Sequence, residues 1–381
     1  MTSKEINIWE LGTKINIKIN PLFLEIINKK IKEQFNTKRN IYKELIKHYK
    51  VTFLTFKSRL KKGYKYFIDL EILLNICKLL KISIIKLQQN IIAYKIRGGS
   101  NYIEHPKLPI KITPIFDMLI AHHIGDGTVV NINGRKLYFG YRQFDTTYRN
   151  LYIKKIESVF GKLNYKNNYF NNKNTTRIYF PVVTSDLLFN LYNLNINSFK
   201  SDTARIPKEI FNKDWKHKLA FLIGIIIDEG CIDSNLIIIR LKNELLIKDL
   251  QKICNNLNYK TTIKSGKDGM FCLYILSTDL NRFYNDYLKL LREYSEVNLG
   301  YKGEKIKEFI DRLNKPKRYI KGNKDKLLIE LSKVDLTINE LSKILNMTRQ
   351  GVRYLIKELE RENKIEIKSI VKFANYKYGI R

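Results

Sequence analysis

The sequence predicts an α+β protein in which a duplicated unit of helices and strands lies between two smaller helical modules. Three observations indicate this fold. An apolar run that ends in an acidic residue and a glycine occurs twice, within residues 120–129 and 220–232. Strand patterns follow both runs, so the chain contains an internal repeat with a period of about 100 residues. Residues 1–100 and 322–381 have helical apolar spacing of their own.

Each apolar run is expected to form a buried helix that carries an acid at its C-terminal end. The small residues, spaced four apart in each run, are Ala121, Gly125, Ala220 and Gly224. Residues with that spacing share one helix face, where small side chains allow two helix backbones to approach closely. The glycine that follows each acid is a helix-stop signal. Two such helices, packed together, place Asp126 and Glu229 side by side.

Two neighbouring acids that face a polyanion are typical of a divalent-metal site. A divalent ion between a carboxylate and a phosphate neutralises charge and acidifies a bound water. Oxygen ligands suit Mg²⁺. The sequence therefore predicts that Asp126 and Glu229 bind Mg²⁺ or another divalent cation, with the backbone carbonyls of Gly125 and Asp228 as further ligands.

The two runs resemble the LAGLIDADG family of homing endonucleases. The nine-residue matches are residues 119–127 and 222–230, and they are closest at their ends, Gly-Asp-Gly and Asp-Glu-Gly. His122 and His123 stand where the family has aliphatic residues, and Asp228 stands where a small residue is usual. We expect the two histidines to be packed or hydrogen-bonded within the core. A charge beside the helix interface must lie at its end or have a partner.

The resemblance extends over residues 106–315. It implies two pseudo-symmetric αββαββα subdomains, at 106–210 and 211–315, with saddle-shaped antiparallel sheets. It also implies a monomeric endonuclease that cleaves both strands of double-stranded DNA, with Asp126 and Glu229 as its catalytic acids.

The family also places a lysine in each half, near the attacking water. In the first half, Lys200 stands six residues before Ile206-Pro207, in KSDTARIP, a spacing that resembles the intein endonucleases of the family. In the second half, GYKGEKI holds Lys302 and Lys305, of which Lys302 fits the role better. A phosphate contact or a solvated surface position is the alternative for each lysine.

The strands after each helix are expected to bind DNA. Residues 128–132 and 137–143 flank Asn133-Gly134, a strong hairpin signal. A further strand is expected within residues 164–174. A twisted antiparallel sheet can lie in the major groove and present alternate side chains to base edges. The strand residues expected to contact DNA are Tyr138, Tyr141, Arg142, Gln143, Arg177, Tyr179, Arg240 and Lys264. Gln143 is also a candidate to support the metal-binding acid.

The N-terminal segment, residues 1–100, is predicted to be helical. A helix capped by Thr52 carries Phe53, Phe56 and Leu60, with basic residues on its other faces. The arrangement resembles a helix-turn-helix module. A generic basic helical domain is the alternative, and the stretch Gly98-Gly99-Ser100 predicts a linker after it.

The C-terminal segment, residues 322–381, resembles a winged helix-turn-helix. Thr348 is expected to cap its third helix, and alternating apolar residues that follow predict a β-wing. The residues of this helix that face inward are Val352, Leu355, Ile356 and Leu359. The outward residues expected to contact DNA are Arg349, Gln350 and Arg353. A helical cap that binds protein is the alternative.

The charge balance favours a polyanionic partner. The 381 residues include 70 lysines and arginines against 37 acids, a net charge of +33. Lysine, isoleucine and asparagine are abundant throughout, which lowers the weight of this observation. An anionic membrane is the competing polyanion, but no basic amphipathic anchor stands out in the sequence, and the apolar runs are too short to span a bilayer, so we expect no membrane association. The scattered cysteines Cys77, Cys231, Cys254 and Cys272 and the lack of a signal peptide predict a reducing, cytoplasmic location.

The sequence therefore favours a site-specific DNA endonuclease. Two alternatives use the same fold. One is a catalytically silent DNA-binding transcription regulator, as in bacterial sporulation regulators that join a degenerate core of this kind to a helix-turn-helix. The other is an intron RNA maturase. The initial methionine and the lack of a terminal His-Asn pair argue against an intein.

Overall fold

The computed structural model describes most of the chain. The described residues are 4–11, 14–46, 51–63, 65–131, 137–143, 145–164, 177–233, 235–266, 268–314, 322–371 and 375–381. They form two compact units, Met1–Arg312 and Leu313–Arg381. The first unit contains the predicted segments 1–100, 106–210 and, apart from its last three residues, 211–315. The second unit contains the predicted segment 322–381.

Helices account for much of both units. The α-helices are α1 (Pro21–Phe35), α2 (Lys38–Ile46), α3 (Phe53–Lys61), α4 (Leu70–Leu79), α5 (Ile84–Gln89), α6 (Pro114–Ile124), α7 (Thr146–Phe160), α8 (Val182–Leu191), α9 (Lys208–Phe211), α10 (Trp215–Glu229), α11 (Glu244–Asn256), α12 (Ser277–Glu293), α13 (Tyr301–Asn314), α14 (Asn323–Lys333), α15 (Ile338–Ile344) and α16 (Arg349–Arg361). Short 3₁₀ helices span Ile8–Glu10, Ile196–Phe199 and Ser295–Val297. Among the described residues, no helix is both long and apolar enough to cross a membrane.

Antiparallel strands form the sheets of both units. The strands are β1 (Glu5–Ile6), β2 (Ile15–Ile19), β3 (Ile68–Asp69), β4 (Ile91–Ile96), β5 (Tyr102–Glu104), β6 (Ile110–Lys111), β7 (Gly127–Asn131), β8 (Leu137–Arg142), β9 (Lys162–Asn164), β10 (Arg177–Tyr179), β11 (Gly230–Asp233), β12 (Leu236–Leu241), β13 (Thr261–Ser265), β14 (Phe271–Ile275), β15 (Leu336–Thr337), β16 (Ile365–Val371) and β17 (Asn375–Ile380). The expected turn at Asn133-Gly134 lies outside the described residues, as does all but the first residue of the stretch 164–174.

The order of elements is the same after α6 as after α10. Each of these two helices is followed by two strands, a helix, two strands and a helix. The first set includes a sheet with the order β10-β8-β7, and the second set forms a sheet with the order β11-β12-β14-β13. The mixed helix-and-sheet fold with antiparallel sheets thus agrees with the α+β class predicted from the sequence.

The sequence predicted a helical N-terminal segment. The structure corrects this prediction, since the segment also contributes strands to a five-stranded sheet. The order of that sheet is β3-β2-β4-β5-β9. Ile15, Ile17 and Ile19 of β2 are buried at every second position, which is the period of a strand. Gly98, in the stretch expected as a linker, lies in the turn between the paired strands β4 and β5. Strand β9, from the first repeat, pairs with β5 and forms one edge of the sheet.

Helices α6 and α10 form the centre of the first unit. Every residue of α6 is buried. A Cβ atom added to Gly224 of α10 would lie 2.7 Å from the Cβ of Ala121 and 3.1 Å from the carbonyl oxygen of Met118. The glycine is therefore required for this approach. The close packing expected from the small residues is confirmed at this crossing.

A buried charge cluster joins the N-terminal ends of α6 and α10. The Asp117 carboxylate is fully buried and accepts hydrogen bonds from Lys213 Nζ at 2.7 and 2.8 Å. It also lies 2.6 Å from His217 Nδ1 and accepts a bond from the Tyr192 hydroxyl. Since breaking a buried pair leaves a charge without compensation, this cluster fixes the start of both helices.

The second unit has its own core. Helices α14, α15 and α16 pack with a sheet of the order β15-β17-β16. The residues of α16 predicted to face inward, all of them buried, are Val352, Leu355, Ile356 and Leu359. Thr348 caps α16 by accepting a bond from the backbone N–H of Gly351 at 3.1 Å.

Candidate active site

The C-terminal ends of α6 and α10 bring acids close together. Asp126 follows the last turn of α6, and Glu229 is the last residue of α10. A Cβ atom at Gly125 would lie 2.7 Å from the Asp228 Oδ2 atom, so glycine is needed where the two helix ends meet. The spacing of small residues and acids in the sequence thus becomes a compact acidic cluster.

The acids of this cluster hold their protons unusually strongly. Burial and, after it, the charge of the neighbouring Asp228 raise the pKa of Asp126 to about 7, against the opposing effects of Lys302 and Gln143. Burial likewise raises the pKa of Glu229 to about 7, with additional contributions from Asp126 and Asp228. Negative charge at this site is therefore only partly compensated by the protein, and a bound cation would compensate the rest.

The end of β8 holds Asp126 from two sides. Gln143 Nε2 donates a hydrogen bond to Asp126 Oδ2 at 2.7 Å. The backbone N–H of Arg142 donates to the carbonyl oxygen of Asp126 at 3.3 Å. Gln143 therefore orients the carboxylate and leaves the other oxygen, Oδ1, available for a ligand.

The side chain of Asp228 points into the protein. It is fully buried, and its carboxylate accepts a hydrogen bond from the Tyr141 hydroxyl at 2.8 Å. His122 Nδ1 lies 3.0 Å away, and the backbone N–H of Asp126 lies 3.4 Å away. The carboxylate therefore joins the two helix ends, which leaves the backbone carbonyl of Asp228 for the metal-binding role predicted from the sequence.

Lys155 of α7 is a buried member of the same network, and sequence reasoning missed it. Its ammonium lies 3.1 Å from His122 Nε2. Burial lowers the pKa of Lys155 to about 8, although Asp228 acts to raise it. Because Lys155 donates to Nε2, the neutral His122 carries its proton on Nδ1 and donates it to Asp228. The signal was the position of Lys155 on the apolar face of α7, three residues after Tyr152.

The structure confirms that both histidines of α6 are core residues. His122 and His123 are buried, and burial lowers the pKa of each well below its usual value. His123 Nε2 lies 2.8 Å from the Tyr152 hydroxyl.

Lys302 caps α10 from α13. Its buried ammonium donates to the carbonyl oxygens of Ile226 at 2.8 Å, Ile227 at 2.6 Å and Gly230 at 2.7 Å. These bonds use all three ammonium hydrogens, so the hydrogen bonds of Lys302 serve to stabilise the end of α10. Its positive charge still reaches the acids, since it lowers the pKa of Asp126.

Lys200 lies on the surface. It follows the 3₁₀ helix Ile196–Phe199 and its side chain is exposed. Within the described part of the chain, no ion pair joins its ammonium to an acid. Among the described residues, no contact between Lys200 and Asp126 or Glu229 supports the catalytic role predicted for this lysine.

Tyr141 is not available to DNA, contrary to the sequence-based expectation. It is 1% exposed, stacks on Tyr152 with ring centroids 4.0 Å apart, and bonds to Asp228. Side chains alternate along a strand. Tyr141 faces the helices for that reason, whereas the next residue, Arg142, is exposed.

The other strand residues predicted to bind DNA divide into two groups. Arg240 of β12 and Lys264 of β13 both lie opposite Cys272 of β14, so the three share one face of the sheet. Arg240 and Lys264 are exposed, and Arg240 forms an ion pair with Asp268. The side chains of Tyr138, Arg177 and Tyr179 lie outside the described part of the structure. In the second unit, the predicted residues that are exposed are Arg349, Gln350 and Arg353.

The chemistry of the acid cluster suits the binding of a divalent ion. Among the described residues, no group of three or more His, Cys, Asp or Glu side chains is arranged to hold a metal by itself. Asp126 and Glu229 are partly exposed residues, whereas the side chain of Asp228 is fully buried. Mg²⁺ is commonly held by one or two carboxylates, with waters and substrate phosphates completing its shell. Two carboxylates with raised pKa values match that ligand set.

No protein-family model matches this chain, and a search of curated proteins gives no match. Homing endonucleases, the group that the two helix motifs resemble, are among the solved structures similar to it. Mesophilic variants of the homing endonuclease I-DmoI have a TM-score of 0.33 and 17% identity, covering 45% of this chain and 93% of that one. I-DmoI in complex with DNA and Mn has a TM-score of 0.32 and 19% identity, covering 45% and 94%.

Two further solved structures, of proteins other than I-DmoI, are also similar to this chain. The homing endonuclease I-WcaI, bound to its DNA recognition sequence, has a TM-score of 0.32 and 15% identity, covering 48% of this chain and 83% of that one. Full-length DUF199/WhiA from Thermatoga maritima has a TM-score of 0.31 and 13% identity, covering 65% and 90%.

Proposed function

We propose that this protein is a site-specific endonuclease that hydrolyses both strands of double-stranded DNA with Mg²⁺ or another divalent cation. The observation that carries the proposal is the pair Asp126 and Glu229, one at the end of each central helix, whose pKa values are both raised to about 7. A paired acidic site of this kind, in a chain with a net charge of +33, suits a phosphodiester polyanion.

In this proposal the residues of the cluster have separate tasks. Asp126 and Glu229 hold the cation, with the carbonyls of Gly125 and Asp228 as additional ligands. When bound, the cation neutralises phosphate charge and acidifies a water. Gln143 keeps the Asp126 carboxylate in one orientation through its 2.7 Å hydrogen bond.

The repeated element order supports a pseudo-symmetric pair of subdomains that act as a monomer. Each copy contributes one acid and one sheet, so that each acid serves one strand of the duplex. The exposed row with Arg240 and Lys264 belongs to the DNA-binding face in this proposal. The second unit acts as a winged helix-turn-helix that adds a DNA contact through the exposed Arg349, Gln350 and Arg353 of α16.

The test is cleavage of duplex DNA with a library of target sequences. Wild-type protein is incubated with the library and Mg²⁺, and newly formed ends are sequenced. We expect one or a few cut sites, and loss of cutting in the Asp126→Asn and Glu229→Gln variants. Asp202→Asn is the matched control because Asp202 is an exposed acid of the same unit. Equal cutting by all variants would remove the acid pair from the mechanism.

A DNA-binding transcription regulator without cleavage is the second candidate. It is favoured by the lysines, because Lys302 uses its three hydrogens on backbone carbonyls and Lys200 is exposed. Sequence-specific binding by the wild type, with no cleavage in Mg²⁺ or Mn²⁺ at any site of the library, would establish the regulator instead.

A further inference from the structure

Helices α2 and α3 pack together as a pair outside the acid cluster. The Tyr42 hydroxyl of α2 donates to the carbonyl oxygen of Val51 at 2.6 Å, just before α3 begins. The Tyr42 ring packs against Phe53 and Phe56 of α3, with centroids 5.3 and 5.4 Å apart. Thr52 caps α3 by accepting a bond from the backbone N–H of Thr55. These contacts fix the direction of α3 relative to α2.

The nine-residue helix α3 has a buried face and an exposed face. Phe56 and Leu60 are buried, and α1 and α2 pack against the helix. The exposed residues of α3 are Leu54, Thr55, Lys57, Ser58 and Lys61. Leu54 is 78% exposed.

The surroundings of this face are strongly basic. The described residues 51–63 and 65–68 contain five lysines and arginines and no aspartate or glutamate. On α2, burial lowers the pKa of Lys38, and the charges of Lys57 and Lys61 lower it further. The lysines of the two helices therefore repel one another in the free protein, and a polyanion bound along α3 would relieve that repulsion.

We propose that the exposed face of α3 binds double-stranded DNA in the major groove, as a contact additional to the acid cluster. The major groove of B-form DNA, about 12 Å wide, admits one helix. The hydroxyls of Thr55 and Ser58 suit hydrogen bonds to base edges, Leu54 suits a thymine methyl group, and the lysines suit phosphates. The deep, narrow major groove of duplex RNA excludes side chains, so the geometry favours DNA. The inference extends the proposed function by naming a second DNA-binding surface.

The test compares two variants of the full-length protein that lose the same charge. Lys57→Ala/Lys61→Ala alters the proposed surface. Lys78→Ala/Lys86→Ala alters exposed lysines of α4 and α5 and is the control. Binding to a random-sequence duplex of about 30 base pairs is measured without divalent metal, between about 50 and about 200 mM salt. Omitting the metal prevents cleavage during the measurement.

The expected result is a change in salt dependence. Losing two phosphate contacts reduces the slope of log affinity against log salt by about 1.8, since each contact contributes about 0.9. The control variant keeps the wild-type slope, and Lys57→Arg/Lys61→Arg restores it. Circular dichroism melting should be unchanged in all variants, because the substituted side chains are exposed.

Three results would overturn the proposal. They are an unchanged slope in Lys57→Ala/Lys61→Ala, an equal reduction in the control variant, and tighter binding to a duplex RNA of the same sequence. A wild-type protein that binds DNA and never cuts it would refute the endonuclease and leave the slope result intact, so the two failures are distinguishable.

Discussion

The ammonium of Lys302 donates a hydrogen bond of 2.7 Å to the carbonyl oxygen of Gly230, the residue that follows the acid Glu229. A lysine from α13 thus completes the C-terminal end of α10, where backbone carbonyls after that of Ile226 lack a partner within the helix. Its positive charge there also offsets the negative end of the helix dipole and the neighbouring acids.

Replacing Lys302 by methionine should destabilise the first unit. The change removes the ammonium shared by three carbonyl oxygens, of which that of Ile226 keeps another donor in the backbone N–H of Gly230, and we expect a loss of about 3 kcal/mol in the free energy of unfolding. Urea unfolding followed by tryptophan fluorescence measures it. Lys305→Met is the control, because Lys305 is exposed on the same helix. Equal stability of the two variants would show that the cap contributes nothing.

Removing either raised acid should stabilise the metal-free protein. Asp126→Asn and Glu229→Gln eliminate carboxylates that burial and like charges hold in an unfavourable state at neutral pH. We expect gains of about 1–2 kcal/mol at pH 8, together with loss of the stabilisation that Mg²⁺ gives the wild type. Denaturant unfolding with and without Mg²⁺ tests both parts. Stability that falls in both variants without metal would contradict this account.

The same acids should make stability depend on pH. Their pKa values in the folded protein, about 7, exceed the ordinary values of 3.8 and 4.5, so the folded state binds more protons between these limits. Stability without metal should therefore fall as pH rises from about 4 to about 7, relative to the Asp126→Asn/Glu229→Gln double variant. Mg²⁺ should bind more tightly at pH 8 than at pH 6, because it requires the deprotonated acids. A wild-type curve parallel to that of the double variant would be evidence against the raised pKa values.

Lys155 and Asp228 should be coupled through His122. Lys155→Met removes one of the two cations, with Lys302, that act on the buried Asp228 carboxylate, and we expect a loss of about 3–5 kcal/mol. The Lys155→Met/Asp228→Asn double variant should lose less than the sum of the single variants. A double-mutant cycle from urea unfolding measures the difference. If the losses in the two single variants simply add, Lys155 of α7 does not stabilise the charge of Asp228 of α10 through His122.

Ending the chain at Asn314 should leave the first unit folded. The second unit has a hydrophobic core of its own, so its removal takes no residues from the core around α6. We expect the shortened protein to retain cleavage, to protect a shorter stretch of DNA and to have a smaller salt slope, because α16 no longer contacts phosphates. Footprinting of both proteins on one duplex tests this. An unchanged footprint would assign α16 to a protein partner or to a cap of the fold.

The central helices could be predicted because their sequence pattern is local. Small residues four apart and an acid before glycine identify α6 and α10, and a charged Asp228 beside the interface was expected either to lie at its end or to have a partner. Its partner Lys155 could not be predicted, because it is one among 70 basic residues and only the tertiary fold distinguishes a buried lysine from a solvated one. Lys302 was named from the family resemblance as a catalytic lysine, but its contacts with the carbonyl oxygens at the end of α10 could not be read from the sequence.

The N-terminal strands were missed for a different reason. Ile15, Ile17 and Ile19 alternate with polar residues over only five positions, and the long helical patterns that follow dominate the segment. Tyr141 was misassigned because its direction depends on which residues of β8 face the helices, and that register is set by pairing with β7 and β10.

The pairing of β9 with β5 limits where this chain can be divided. Residues 102–104 hydrogen-bond to residues 162–164 of the first repeat, and Lys107 bonds to the carbonyl oxygens of Ser158 and Phe160. Strand β9 is already at the edge of its sheet, and a protein shortened to begin at residue 106 would remove β5, its pairing partner among the described strands, so that backbone groups of β9 lose their hydrogen bonds and invite aggregation. When segments are exchanged between proteins of this architecture, the five-stranded sheet and the first repeat should therefore be transferred together.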